Sequence, residues 1–187
     1  MKVEIWDGRT LSEPQAVAIA KLLVRIWPKD DKNVETRTAA LLRRGAEYEG
    51  PDAEGPRSFV VLDGEAVIAH AAMVPRTIGT SVGDMTVGGL AQVCSAPETR
   101  GSGLGAEVVR AAFAMVDHGN FRVSLFQTSH AVRAFYEKLG ACLVENTIVN
   151  SLGDPPSANP FWDDIAMRYP AAAEWPGGEI DLRGPGY

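Results

Sequence analysis

The sequence predicts an α/β (α+β) fold, a mixed and mostly antiparallel central sheet flanked by helices. Three observations carry this. Short β-rich runs outnumber the helical ones, and several of them follow one another without a helix between. The helical stretches that do occur are amphipathic, so each has an apolar face to lay on a sheet. Strand and helix do not alternate regularly, as they would in a doubly wound parallel sheet.

Lys2–Trp6 alternates polar and apolar residues and predicts a first strand. Ser12 stands as an N-cap with Gln15 three residues on, a capping-box pattern. Ile19, Leu22, Leu23 and Ile26 follow at helical spacing until Pro28. A second helix is expected over Val34–Arg44, with Gly45 as its C-terminal cap. Gly50–Pro56 is a loop by composition. Ser58–Leu62 and Glu65–Ala69 flank Asp63-Gly64, a signal for a type I′ hairpin turn. The second arm runs past Pro75, which implies an edge or a bulge there. Gly83-Asp84 marks the next turn, and a strand covers Met85–Ser95.

After Pro97 the period changes. Leu104, Val108, Ala111, Ala112 and Met115 share a helical face that Gly119 ends, with His118 near the helix end. Arg122–Gln127 predicts a strand, Ala131–Leu139 a short helix and Ala141–Ser151 another strand. Gly153-Asp154-Pro155-Pro156 breaks the chain before a last strand at Asp164–Tyr169.

At 187 residues, 45% hydrophobic and 22% charged, the chain suits one domain with a real core. We expect that domain over residues 1–169, with a C-terminal extension at 170–187. A net charge of −6 argues against nucleic acid or an anionic membrane as partner, and it is compatible with a cationic substrate. No signal peptide or eighteen-residue apolar run is present, so no membrane span is expected. Cys94 and Cys142 lack metal-type spacing, so no metal is expected, and two thiols suit the cytoplasm.

The informative stretch is Val93-Cys94-Ser95-Ala96-Pro97-Glu98-Thr99-Arg100-Gly101-Ser102-Gly103-Leu104-Gly105-Ala106. A strand enters a glycine-rich turn that opens a helix. Free amide N–H groups and the helix dipole make such a turn an anion site, and glycines let a phosphate approach the backbone. Arg100 adds a cation at the rim. Gly101-x-Gly103-x-x-Ala106 superficially fits the dinucleotide fingerprint. That fingerprint needs an acid at the end of the next strand, which here reads Phe126-Gln127-Thr128.

The same residues resemble the GCN5-related N-acetyltransferase superfamily. Its acyl-CoA motif, Q/R-x-x-G-x-G/A, is matched by Arg100, Gly103 and Gly105, with Pro97 shortly before. Downstream, Ala131-Val132-Arg133-Ala134-Phe135-Tyr136-Glu137-Lys138-Leu139-Gly140 is similar to the family's A-x-x-x-Y-x-K-x-G segment. The resemblance extends from about residue 3 to residue 169. It implies acetyl-CoA, or a longer acyl-CoA, as co-substrate. The amides of Arg100, Gly101, Ser102, Gly103, Leu104 and Gly105 then hold the pyrophosphate, and the backbone near Val93 and Ser95 pairs with the pantetheine arm. Tyr136 takes the place of the tyrosine that protonates the departing thiolate, and the family's frequent homodimers make one possible here.

Two departures stand out. Ser129 replaces a usual asparagine, as a candidate pantetheine contact. The strand Gly88–Cys94 lacks the glutamate that many members use as general base, which leaves His70, Asp84 and His130 as candidates and none assigned. Cys94 has no activating partner nearby and is expected to be a small buried hydrophobe. The segment from Trp175 to Tyr187 resembles the end of the rhizobial nodulation N-acyltransferases, and aminoglycoside 2′-N-acetyltransferases carry a comparable extension. Both act on amino sugars. The function expected is acyl transfer to a primary amine of a small molecule, an amino sugar among the candidates. A non-catalytic acyl-CoA-binding or sensing module on the same fold is the alternative.

Overall fold

In a computed structural model, which describes residues 2–187, both halves of the expected capping box close. Ser12 Oγ accepts from the Gln15 N–H at 3.4 Å, and Gln15 Oε1 accepts from the Ser12 N–H at 2.9 Å. The elements in chain order are β1 (Glu4–Asp7), α1 (Glu13–Ile26), α2 (Val34–Ala46), β2 (Arg57–Asp63), β3 (Ala66–Thr80), β4 (Gly83–Ser95) and α3 (Leu104–Asp117). They continue with β5 (Ser124–Thr128), α4 (Arg133–Glu137), β6 (Cys142–Leu143), β7 (Ile148–Val149), β8 (Ile165–Tyr169) and β9 (Ile180–Asp181). Strand pairing runs β1-β2-β3-β4-β5-β8-β6, and β9 pairs with β3 and β7. Parallel pairing occurs at β4–β5 and β7–β9, while β1–β2, β2–β3, β5–β8 and β6–β8 are antiparallel. This is the mixed, mostly antiparallel sheet with helices that the sequence predicts.

Backbone proximity groups the chain into two units. The first holds residues up to Val74 together with Ala91–Ala114. Its buried side chains include Ile19, Leu22 and Leu23 of α1, Phe59, Val60 and Val61 of β2, and Val108, Val109 and Phe113 of α3. Every residue of β3 from Val67 to Val74 is buried, as in a central strand covered on both faces. Gly45 lies inside α2 and does not cap it. A side chain at Gly45 would collide with the Gly8 carbonyl, so the glycine serves close approach of two backbones.

The hairpin turn also differs from expectation. Its corner residues are Gly64 and Glu65, and only Gly64 has positive φ, at 58°, so the type I′ pattern is replaced. A bulge between Val61 and Leu62 shifts the register of β2 against β3 by one more residue away from the turn.

The second unit comprises Pro75–Leu90 and Met115–Tyr187. Here α3 ends in a Schellman motif, with the Gly119 N–H on the Val116 carbonyl (2.9 Å) and the Asn120 N–H on the Met115 carbonyl (2.8 Å). The turn before β4 is Ser81-Val82, so Gly83 already begins the strand. The predicted strand over 141–151 is only the two short pieces β6 and β7, and Ile180–Asp181 adds a strand beyond Tyr169. Ile180 and Leu182 are fully buried against Ile78, Val87, Leu125, Ile148 and Phe161. Arg76 donates to the carbonyl oxygens of Leu182, Arg183 and Pro185, which fixes the chain after β9.

Two expected outcomes come from this packing. Ile180→Ala removes a fully buried side chain and destabilises by about 2–5 kcal/mol, measured as a lowered urea midpoint. A midpoint within error of the parent would mean that this segment is not part of the core. The second concerns His70 in the first unit, which is fully buried. Its Nδ1 lies 3.0 Å from the Gln92 carbonyl and its Nε2 3.2 Å from Ser58 Oγ. Burial depresses its pKa from 6.5 to about 4. The unfolded chain therefore binds the extra proton first, and stability falls as pH drops from 6.5 towards 4. Between pH 6.5 and 5, above the carboxylate range, the loss is about 2 kcal/mol. His70→Gln should flatten that window in denaturant titrations, and an unchanged slope would contradict the assignment.

Candidate functional site

In the first unit, β4 leads through Ala96 and a short 3-10 turn, Pro97–Thr99, into the glycine turn. The Arg100 N–H closes on the Pro97 carbonyl (3.3 Å) and the Ser102 N–H on the Thr99 carbonyl (3.2 Å). Those two amides of the expected cradle are therefore engaged within the turn. The first helical bonds of α3 are made by Ala106 and Glu107, both to the Gly103 carbonyl. The amides of Gly101, Gly103, Leu104 and Gly105 precede that ladder and donate to no backbone carbonyl among the described residues. A Cβ on Gly101, Gly103 or Gly105 would meet nothing within 4 Å, so the space beside these donors is open. Gly101 and Gly103 have φ of 83° and 87°, where glycine is required by conformation. Gly105 has no such demand, and its openness is a matter of space alone. Arg100 is exposed beside them.

Val93 and Ser95 lie upstream on β4, both partly buried. Among the described residues, the β5 ladder on β4 pairs Gly88 with Ser124 and Gly89 with Leu125. Between them and the ladder, Gln92 has φ of 54°, an outlier for a side chain of this kind, and its carbonyl is the one held by His70. Cys94 is buried and its thiol is pushed up to about 12, with the Arg37 charge pulling the other way. It remains a thiol, as the small-hydrophobe expectation requires.

In the second unit, Tyr136 on α4 is 7% exposed. Its ring packs 4.7 Å from Phe126 and 4.9 Å from Phe135, and its hydroxyl makes no hydrogen bond with a described residue. Burial, then the Asp163 charge, raises its pKa well above the ordinary phenol value. The ordinary phenol–thiol gap that makes proton transfer look easy therefore does not describe this phenol alone. Ser129 is the N-cap of the short 3-10 turn His130–Val132 that leads into α4, and its side chain makes no capping bond.

The candidate bases fare differently. Both ring nitrogens of His70 have partners in the core. Asp84 forms a two-pronged pair with Arg183, at 2.6 and 2.7 Å, which holds its carboxyl below the usual range. Neither is placed to accept a proton from a substrate. His130 is exposed, with its backbone N–H 3.5 Å from Asp164 Oδ2.

Sequence reasoning missed Gln127. Its Oε1 accepts from the backbone N–H groups of Trp162 (2.8 Å) and Asp163 (2.9 Å), and its Nε2 donates to the Tyr187 main-chain oxygen (3.0 Å). The Tyr187 ring lies over Gly89, where a Cβ would stand 2.5 Å from Cε2, and its hydroxyl donates to the Leu125 carbonyl at 2.8 Å. The partners lie 35 to 60 residues away in sequence, so no local pattern announces them.

A family model described as the acetyltransferase (GNAT) domain matches residues 9–144. No curated protein matches the chain. A GCN5-related N-acetyltransferase from Kribbella flavida aligns with a TM-score of 0.56 at 20% identity, over 76% of this chain and 33% of its own. This chain thus spans about a third of that protein. A GNAT family acetyltransferase from Brucella melitensis, in complex with acetyl-CoA, gives 0.58 at 15% identity, over 96% of this chain and 95% of that one. Glucosamine-6-phosphate N-acetyltransferase from Arabidopsis thaliana gives 0.57 at 15% identity, over 75% and 91%. Likeness at these identities shows the shared fold. Among the described residues no helix is long and apolar enough to cross a membrane. The family match covers both the glycine turn and the Tyr136 segment, and the chain belongs to the acetyltransferase (GNAT) domain family.

Proposed function

We propose that the protein transfers an acyl group, acetyl in the simplest case, from acyl-CoA to a primary amine of a small molecule by direct attack in a ternary complex. Acyl transfer is the business of the family. The observation that carries the proposal is the glycine turn, with four amides that donate to no backbone carbonyl among the described residues, beside open space at the start of α3. A diphosphate fits those donors, and Arg100 adds positive charge at the rim. Support for acetyl-CoA as co-substrate comes from the Brucella melitensis complex on the same fold.

Acyl-CoA supplies a thioester carbon as electrophile. The backbone of Val93 and Ser95 holds the pantetheine arm, and an amide near Val93 donates to the oxygen as it gains charge. Ser129 offers a further hydroxyl to the pantetheine. Tyr136 gives its proton to the leaving thiolate. Its raised pKa keeps the phenol protonated through the neutral range, and the same dry surroundings raise a thiol's proton affinity, which narrows the gap again.

An amino sugar as acceptor is supported by the similarity of the chain's last segment to nodulation and aminoglycoside acyltransferases. The glucosamine-6-phosphate enzyme of the same fold points the same way. The two free cysteines suit a cytoplasmic setting. One observation favours a non-catalytic acyl-CoA-binding module, the absence of a carboxylate on Gly88–Cys94. Turnover with an amine panel separates the two.

Gly105→Val tests the cradle better than a change at Gly103, because it adds bulk without a strained φ. The expected result is a fall in acetyl-CoA affinity of at least about tenfold by calorimetry, with the fold retained by circular dichroism. Unchanged affinity would remove the cradle from the proposal. Tyr136→Phe is expected to lower kcat about a hundredfold with acetyl-CoA affinity unaltered. Full activity in that variant would end the acid role.

A further inference from the structure

From Val93 to Ala106 the chain carries a single acid, Glu98, and a single base, Arg100. The acid lies in the turn that feeds the glycine cradle. Gly101 follows three residues on, at most about 11 Å away between α-carbons. That is about one Debye length at ~0.1 M salt, so a bare carboxylate at Glu98 would oppose a diphosphate at the cradle.

The carboxylate is not bare. Arg25, in the last turn of α1, meets it with both terminal nitrogens. Nη1 donates to Glu98 Oε1 at 2.8 Å and Nη2 donates to Oε2 at 2.7 Å. This two-pronged geometry is the one in which a guanidinium pairs best with a carboxylate. The fork, then the Glu98 N–H, hold the carboxyl below its usual range, so at neutral pH the charge is cancelled by pairing and not by protonation. Both residues belong to the first unit.

The turn has other anchors. The Ala96 N–H donates to the Ile68 carbonyl of β3 at 2.7 Å, and Ala96 is buried. The Thr99 N–H and hydroxyl both donate to the Ala96 carbonyl at 2.9 Å. The Arg100 and Ser102 amides close on the Pro97 and Thr99 carbonyls. By contrast the Arg25 and Glu98 side chains are 53% and 55% exposed, where an ion pair adds little rigidity or stability. Its effect is therefore on charge.

Resting on acyl-CoA binding at the glycine turn, we infer that Arg25 is a charge-neutralising residue of the cofactor site. Its guanidinium cancels Glu98, which leaves Arg100 as the net charge of the segment and lets the diphosphate approach the free amides. Arg25 itself makes no contact with the cofactor in this reading.

The test is calorimetric titration of the full chain with acetyl-CoA at about 20 mM and about 0.5 M salt, with circular dichroism as the check on folding. Arg25→Gln should raise Kd about threefold to tenfold at low salt and less than about twofold at high salt. Arg25→Lys keeps the charge without the fork and should stay within about twofold of the parent. Glu98→Gln should bind as tightly as the parent or more tightly. The double variant Arg25→Gln, Glu98→Gln should return to within about twofold of the parent, because neither charge is left. A double variant as weak as Arg25→Gln would mean that Arg25 touches the cofactor or ties the turn mechanically, and the inference would fall. Parent-like affinity in Arg25→Gln at low salt would also sink it, with the cradle untouched. A parent that binds no acetyl-CoA would remove the cofactor reading on which it rests.

Discussion

Gln92 sits at φ 54° in the middle of a strand, where its side chain gains nothing from the left-handed conformation. Such a residue costs of order 1–3 kcal/mol and persists only where its neighbours hold it. The holder is His70, fully buried, which hydrogen-bonds the Gln92 carbonyl and places its other nitrogen on Ser58. The imidazole must stay neutral to remain there, and burial ensures that it does. Downstream of this kink, Val93, Ser95 and the glycine turn take their direction. One uncharged histidine thus braces the strand that leads into the glycine turn.

The second unit is organised around an absence. Gly89 has no side chain, and the Tyr187 ring occupies the room that leaves. The Tyr187 main-chain oxygen then occupies one end of the Gln127 amide, and the other end takes the Trp162 and Asp163 N–H groups. Arg183, bound to Asp84, and Arg76, over the Tyr187 ring at 5.4 Å, complete the hold. Each bond is modest alone, but the groups share partners, so they are expected to act together.

The parts of this structure that were legible in the sequence are those whose causes are local. The Ser12–Gln15 box, the Gly119 helix end and the glycine turn depend on residues within five positions of one another. Gly45 was misread because a glycine near a helix end has a local explanation, whereas its true cause is the distant Gly8 backbone. The corner falls at Gly64-Glu65, one residue beyond the Asp63-Gly64 pair that turn rules pick out. In the candidate site, Tyr136 and the glycines were found by motif. Gln127 was not, because its bonds join residues 35 and more positions apart. The fate of Asp84 was likewise hidden, since its partner Arg183 lies 99 residues on.

The bracing of Asp163 by Gln127, and of Gln127 by Tyr187, has a practical side. Proteolytic trimming that removes β9 and the residues after it would uncover Ile78, Val87 and Leu125 and leave the Gln127 amide one partner short. The glycine turn belongs to the other unit. A trimmed sample could thus look sound in a ligand-binding assay while its Trp162-Asp163 segment drifted, so intact mass belongs beside every activity measurement on this protein.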